Sequence, residues 1–302
     1  MNDAISRHRA AIAEFDRVIR HVKADQWDLP TPCSDWDVRA LVNHVVGEAL
    51  WTPPILAGRT IADVGDAFDG DLLGSDPLAR WSPAAEEAAT SAEADGVTDT
   101  TVHLSFGDLP APEYLRQLTA DYLVHAWDLA TAIGVADRLD ADLVEATAAW
   151  FGNWADGYRG AGVIAEPAPT SAGSDAQDVL LASFGRDAQR ARVTAAVGRF
   201  EAAFGRRDVD AVMASMTEDC VFESTSPPDG QRYVGQAAVR AAWTEFFATP
   251  EEINFEGEDR IVTGEHLVSR WRYQWADGHV RGIDVFRVEG TRVAEKASYV
   301  KG

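Results

Sequence analysis

Apolar residues at Ile5, Ile12, Phe15, Val18, Ile19 and Val22 recur at the spacing of one helix face and predict an amphipathic helix over residues 5–22. A turn through Pro30 and Pro32 follows. Ser34 or Asp35 is the expected cap of a second helix, which buries Leu41, Val42, Val45 and Ala49. An alanine-rich helix is expected over 76–94, and a long one over 110–133 that begins at a proline, where a missing N–H costs least. Another helix is expected over 140–158, a loop over 160–173 and a last helical turn over 179–184. Four or five helices with short connections describe a bundle.

The texture changes near residue 190. Helices are predicted over 193–205 and 208–216, a short strand over 220–223 and a helix over 236–248. Strand-like runs then occupy 253–262, 266–275, 280–288 and 292–300, with turns at Asp277-Gly278 and Glu289-Gly290 joining the last three as hairpins. Helices followed by a meander indicate an α+β unit. The predicted domains are therefore residues 1–188, a helical bundle, and residues 189–302, an α+β domain.

Charge supports the boundary. The chain of 302 residues carries a net charge of −22, and its first 187 residues hold 31 acidic and 12 basic side chains against 18 and 15 in the rest. Such an acidic chain argues against nucleic acid or an anionic membrane surface as partner; the expected partner is a small-molecule substrate. No apolar run is long enough for a membrane span, and the polar start with Asp3 is unlike a secretory signal. Only Cys33 and Cys220 are present, one in each predicted domain, so reduced thiols and a cytoplasmic location are expected. The end of the helix that follows Cys33 is a possible source of a lowered thiol pKa, set against simple packing of a small residue.

Asp121 and His125 stand four apart on the long helix and project from one face. His44 lies on the second helix among Leu41, Val42 and Val45. Two imidazoles and a carboxylate suit a catalytic zinc site, which keeps one position open. Spacing alone is weak support, because an Asp/His pair at four is usually a surface hydrogen bond and His44 with Glu48 repeats it.

Two segments carry more information. Thr31-Pro-Cys-Ser-Asp-Trp-Asp-Val-Arg-Ala-Leu-Val-Asn-His44 and Asp121-Tyr-Leu-Val-His125-Ala-Trp-Asp-Leu-Ala130 resemble the actinobacterial mycothiol-dependent maleylpyruvate isomerase-like family of DinB-like metal-binding bundles. The stretches 102–110 and 182–187 are similar to that family as well. The resemblance implies a divalent ion, zinc being the expected one, held by His44, Asp121 and His125, with mycothiol as a possible cosubstrate. Asp121 stands where the isomerase itself has glutamate. For Trp127 the expected role is packing, and for Asp128 it is to hold a neighbouring group, a ligand imidazole included.

The isomerase continues into a sterol-carrier-like domain, and this chain does not. Its residues 193–302 resemble the SnoaL-like branch of the nuclear-transport-factor-like fold, a cone formed by a curved antiparallel sheet and helices. Met216-Thr-Glu-Asp-Cys-Val-Phe-Glu223, Tyr233-Val-Gly-Gln-Ala-Ala-Val-Arg240 and Arg281-Gly-Ile-Asp-Val-Phe-Arg-Val-Glu-Gly290 carry that resemblance. Period-two alternation places Leu267, Ser269, Trp271, Tyr273 and Trp275 on one sheet face, with Gly282, Asp284, Phe286 and Val288 on the next strand. Trp243 and Phe247 are expected to cap the cone. Ketosteroid isomerase shares the fold, but Ser224 and Phe200 stand where it has its general base and its oxyanion-hole tyrosine. Asp284 alone matches, and SnoaL-like cyclases use one such acid/base; the alternative is an Asp284 paired with Arg270 or Arg272.

The leading expectation is a metal-dependent isomerase or thiol transferase acting on a small organic acid or electrophile. Two alternatives stand beside it: an isomerase, cyclase or lyase using Asp284 in the second domain, and a non-enzymatic metal-containing ligand-binding protein. A homodimer through the second domain is expected by analogy of fold.

Overall fold

The computed structural model describes residues 3–160, 164–170, 173–225, 228–248, 255–275 and 278–301. The chain separates into two compact units, Met1–Asp187 and Ala188–Gly302.

The first unit consists of α1 (Asp3–Ile19), α2 (Val38–Leu56), α3 (Ile61–Val64), α4 (Pro77–Ala92), the hairpin β1 (Thr101–Leu104) and β2 (Gly107–Pro110), α5 (Ala111–Ile133), α6 (Ala141–Phe151), α7 (Ala155–Gly160) and α8 (Ala176–Ser183). α1 packs on α4 and α5, and α2 packs on the same pair, so these four helices enclose the core. Phe15, Trp81 and Leu115 are fully buried there. The middle of α5 is buried nearly all round, from Leu118 to Ile133 except Asp121, and this is why its sequence shows little amphipathic contrast. It ends at Gly134, whose φ of 78° suits a residue without Cβ and lets its N–H reach Ala130 O.

Local chemistry moved several expected boundaries. The cap of α2 is Asp37, which accepts from Ala40 N, and not Ser34 or Asp35. Those two residues are drawn into a closed turn in which Trp36 N–H donates to Cys33 O and Thr31 N–H to Trp36 O. The helix expected over 140–158 breaks after Phe151, where Gly152 caps α6. The first helix ends at Ile19, three residues early. The β1–β2 hairpin was not foreseen, because four-residue strands containing Gly107, Asp108 and Pro110 read as loop. Its pairing is antiparallel, with Leu104 opposite Gly107 and His103 Nδ1 2.7 Å from Asp108 Oδ1.

The second unit runs α9 (Ala188–Gly205), α10 (Val209–Ala214), β3 (Met216–Glu223), β4 (Arg232–Val234), α11 (Gln236–Ala248), β5 (Phe255–Thr263), β6 (His266–Trp275), β7 (Gly278–Glu289) and β8 (Arg292–Val300). The sheet order is β4-β3-β8-β7-β6-β5, with β3 parallel to β8 and the other neighbours antiparallel. The helices pack on one face of this sheet, around Phe200, Trp243 and Phe286. β4 was missed, being three residues long. Ile253 and Asp277, expected in a strand start and a turn, lie outside the described residues.

Strand alternation holds where the sheet is covered. Leu267, Ser269 and Trp271 are buried, whereas Trp275, at the open end of the same face, is 52% exposed. Gly282 permits the closest approach: a Cβ there would stand 2.3 Å from the Trp271 ring and 2.4 Å from Tyr299 O.

Candidate metal centre

α2 contributes His44, and the buried centre of α5 contributes Asp121 and His125 one turn apart. Their donor atoms lie within 4.8 Å of one another. His44 Nε2 is 3.2 Å from Asp121 Oδ2 and 3.3 Å from Oδ1, and His125 Nε2 is 3.4 Å from Oδ1. A charge-assisted N–H···O contact settles near about 2.8 Å and selects one oxygen. Tetrahedral donors about 2.05 Å from a zinc ion stand about 3.3 Å apart. The three N···O separations lie close to that spacing, and a donor set of two imidazoles and a carboxylate suits a small divalent cation.

The surroundings orient these donors. His125 Nδ1 is 3.0 Å from Asp128 Oδ2, which assigns its proton to that side and leaves Nε2 to face Asp121. Asp128 is fully buried and also accepts from Arg186, at 2.8 Å from Nη2 and 3.4 Å from Nε. Arg186 Nη1 donates to Phe184 O at 2.8 Å. Trp36, held by the turn before α2, places its ring 4.7 Å from that of His44 and 5.5 Å from that of His125.

The electrostatics follow from this packing. Burial opposes ionisation of Asp121, but the His44 and His125 charges outweigh it and hold the carboxyl well below its usual range. Burial likewise works against charge on His125, while Asp121 and Asp128 together push its pKa up to about 9. His44 is also raised, burial being outweighed by Asp121. Asp128 is held low, and Arg186 high, by their mutual charge against the penalty of burial. Glu48, one turn beyond His44, is pushed up to about 7 by burial and by the charge of Asp121.

These groups open into a pocket of about 740 Å³. Trp51, Ile55, Tyr114 and Leu118 form one wall, Trp150 and Phe184 another, and Phe106 of the hairpin tip stands at its edge, 61% exposed. Cys33 also lines it, and burial pushes its thiol up, opposite in direction to the helix-terminus lowering considered above. Trp127 is fully buried and donates to Asp137 at 3.1 Å, a packing role as expected. Three participants escaped the sequence reading. Glu48 was visible only as a second pair at spacing four, Trp36 lay within a recognised segment without an assigned role, and Arg186 lay within a recognised stretch without an assigned partner.

Asp284, the remaining candidate, lies in the second unit. Lys296 Nζ stands 3.0 Å from its Oδ1, and the Ser298 hydroxyl donates to the same oxygen at 2.7 Å. Neither Arg270 nor Arg272 pairs with it: Arg270 points from the opposite face toward Glu258 and Asp259. The Lys296 ammonium sits over the Phe222, Trp243 and Phe286 rings at 5.5, 5.8 and 5.7 Å. Register places Ser269, Asp284 and Ser298 side by side on β6, β7 and β8, a polar row across an apolar face.

A helical bundle with a His/Asp/His cluster, joined to an α+β unit with a six-stranded sheet, defines the class. Residues 8–130 match the mycothiol maleylpyruvate isomerase N-terminal domain, and residues 197–296 match the SnoaL-like domain. The chain belongs to the mycothiol maleylpyruvate isomerase N-terminal domain family, and its second half is SnoaL-like. An uncharacterised protein of Mycobacterium tuberculosis is 32% identical over 186 residues, 61% of this chain and 98% of that protein. Among solved structures, an NTF2-like protein of unknown function from Mesorhizobium loti is 36% identical, covering 38% of this chain and 96% of its own, with a TM-score of 0.35. A steroid delta-isomerase from Pseudomonas aeruginosa is 19% identical, covering 38% of this chain and 83% of its own, with a TM-score of 0.33. No helix among the described residues is long and apolar enough to cross a membrane.

Proposed function

We propose that this chain is a metal-dependent enzyme of the isomerase type, acting through a thiol cosubstrate on a small organic molecule bound in the pocket of the first unit. The observation that carries the reading is the set of N···O separations of 3.2–3.4 Å among His44, Asp121 and His125 at the base of that pocket. Family membership supports an isomerase and names mycothiol as the thiol to test first. A divalent ion held by these residues, zinc by preference for two imidazoles and a carboxylate, supplies Lewis-acid polarisation of a thiol, water or carbonyl oxygen. The protein's own part is positional: Asp128 fixes the His125 tautomer, Arg186 neutralises Asp128, and Trp36 covers both imidazoles. Glu48 faces the same pocket one turn from His44, and burial raises its pKa.

Elemental analysis of the purified chain, before and after zinc reconstitution, tests the proposal. One equivalent in the wild type and its loss in His44→Ala and His125→Ala are expected. A wild type that remains metal-free after reconstitution would sink it.

The SnoaL-like unit supports a second reading, with Asp284 as the acid/base group of an isomerase, cyclase or lyase. The observation in its favour is the Asp284, Lys296 and Ser298 network set among aromatic rings. Loss of activity in Asp284→Asn with retention in His125→Ala would favour it over the first.

A further inference from the structure

We infer that the pocket above His44, Asp121 and His125 takes a substrate with a long apolar arm, an alkyl or aryl chain that runs from the cluster out between Ile61 and Phe106. This rests on reading the pocket as the catalytic site and names the class of molecule it takes.

α2 and α5 run antiparallel along the pocket. His44 meets Asp121 at its base, and further along α2 Thr52 meets Tyr114 of α5. Trp51 and Ile55 continue the lining on α2. At about 1.5 Å of rise per residue they lie about 10 and about 16 Å along the helix from the level of His44. Beyond them stand Ile61 of α3 and Phe106 of the hairpin tip, which also line the pocket. β1 packs on both α2 and α5, β2 leads directly into α5, and Thr60 bridges to His103. α3 and the hairpin therefore frame one mouth. The pocket is a trough, with its reacting groups gathered at the opposite end.

Ile61 is 38% exposed and Phe106 is 61% exposed. A hairpin tip is ordinarily occupied by polar or turn-forming residues, and a phenylalanine held largely outside the core adds little to folding. Two apolar side chains left in water where an apolar trough opens mark the place that a ligand leaving the trough would cover. The walls are already set. The Trp150 indole N–H donates to Glu113 at 2.8 Å, and Phe184 stacks on Phe151 with centroids 4.1 Å apart. An apolar arm thus gains burial at little ordering cost. The volume of about 740 Å³ falls within the range of cavities that enclose drug-sized ligands, more than a reacting group beside the cluster fills.

The test is equilibrium binding of straight-chain primary alcohols, butanol to octanol, to the full chain, with zinc content measured on the same samples. Affinity should rise about three- to fourfold per methylene. Phe106→Ala and Ile61→Ser, at exposed positions that folding tolerates, should each flatten the rise for the longest alcohols and leave butanol unchanged. Phe246→Ala, which removes an exposed aromatic of the second unit, should alter neither. The same rise in metal-free His125→Ala would uphold the long-arm assignment even where the metal reading fails. No rise from butanol to octanol in a wild type that takes up zinc would overturn it and leave that reading intact. Loss of the rise in Phe246→Ala but not in Phe106→Ala would overturn it by placing the chain in the second unit. Dissociation of a dimer by Phe106→Ala, with the rise unchanged, would overturn it by giving the rim to a second copy.

Discussion

Asp128 accepts the Nδ1 proton of His125 at 3.0 Å and the Arg186 guanidinium at 2.8 Å, so one fully buried carboxylate serves two cations on different parts of the chain. Asp128→Asn removes the charge and keeps the shape. Zinc affinity should fall about 10- to 100-fold, the usual effect of losing the carboxylate behind a ligand histidine. Stability should fall by about 3–5 kcal/mol, because Arg186 is left buried and uncompensated. Adding Arg186→Met should recover much of the stability and none of the affinity. Competitive chelator titration and thermal melting check the two halves separately.

Proton release should accompany metal binding. His125, raised to about 9, is protonated at pH 7.5, and its proton must leave before Nε2 can ligate. Apparent affinity should therefore climb about tenfold per pH unit from pH 7 toward pH 9 and then level off. Calorimetry in buffers of different ionisation enthalpy counts the protons. A pH-independent affinity over this range would contradict the assignment of His125 as a ligand.

His8 sets an acid limit on the first unit. It is fully buried against Tyr122, neither ring nitrogen has a hydrogen-bond partner among the described residues, and burial lowers its pKa to about 4, with Arg9 adding to the effect. Above pH 6.5 both folded and unfolded states keep His8 neutral. Between 6.5 and 4 only the unfolded state takes the proton, so stability should decline as pH falls, by about 3 kcal/mol once below 4. His8→Leu should remove this part of the acid limb. Melting curves from pH 7.5 to pH 4.5 compare the two proteins.

The Asp284 and Lys296 pair should respond unequally to its two truncations. Asp284→Asn removes the ion-pair partner of an ammonium whose side chain is 9% exposed, leaving it Ser298, ring faces and the charge of Glu201. The expected cost is about 3 kcal/mol or more. Lys296→Met fills the same space and leaves a carboxylate that is 17% exposed and keeps the Ser298 bond, so the cost should be smaller. Denaturant midpoints rank them, and the reverse order would refute the assignment of the buried charge.

How much of this was legible in the sequence depended on distance along the chain. His44, Asp121 and His125 could be placed because two continuous motifs contain them and helix periodicity sets their faces. Arg186 could not, since its bond to Asp128 spans 58 residues and belongs to the tertiary arrangement. The strands β6 and β8 and the helix α11 were readable to the residue, each having strong alternation or periodicity and a clear boundary. The polar row of Ser269, Asp284 and Ser298 was not, because it exists only through strand register, and period-two reasoning treats each strand alone. Lys296 received no role for the same reason. The cap of α2 was misplaced by two or three residues because Ser34, Asp35 and Asp37 are all good caps, and backbone hydrogen bonds within the preceding turn decide among them.

The pairing of α1 with α5 has a consequence for biogenesis. During synthesis the stripe formed by Ile5, Ile12, Phe15, Val18 and Ile19 leaves the ribosome long before residues 111–133 exist to cover it. Until then the nascent chain displays an adhesive surface, which invites chaperone capture or self-association. Truncations ending before Ile133 should therefore be recovered as aggregates, whereas a chain ending after Asp187 has every helix it needs to bury its first one.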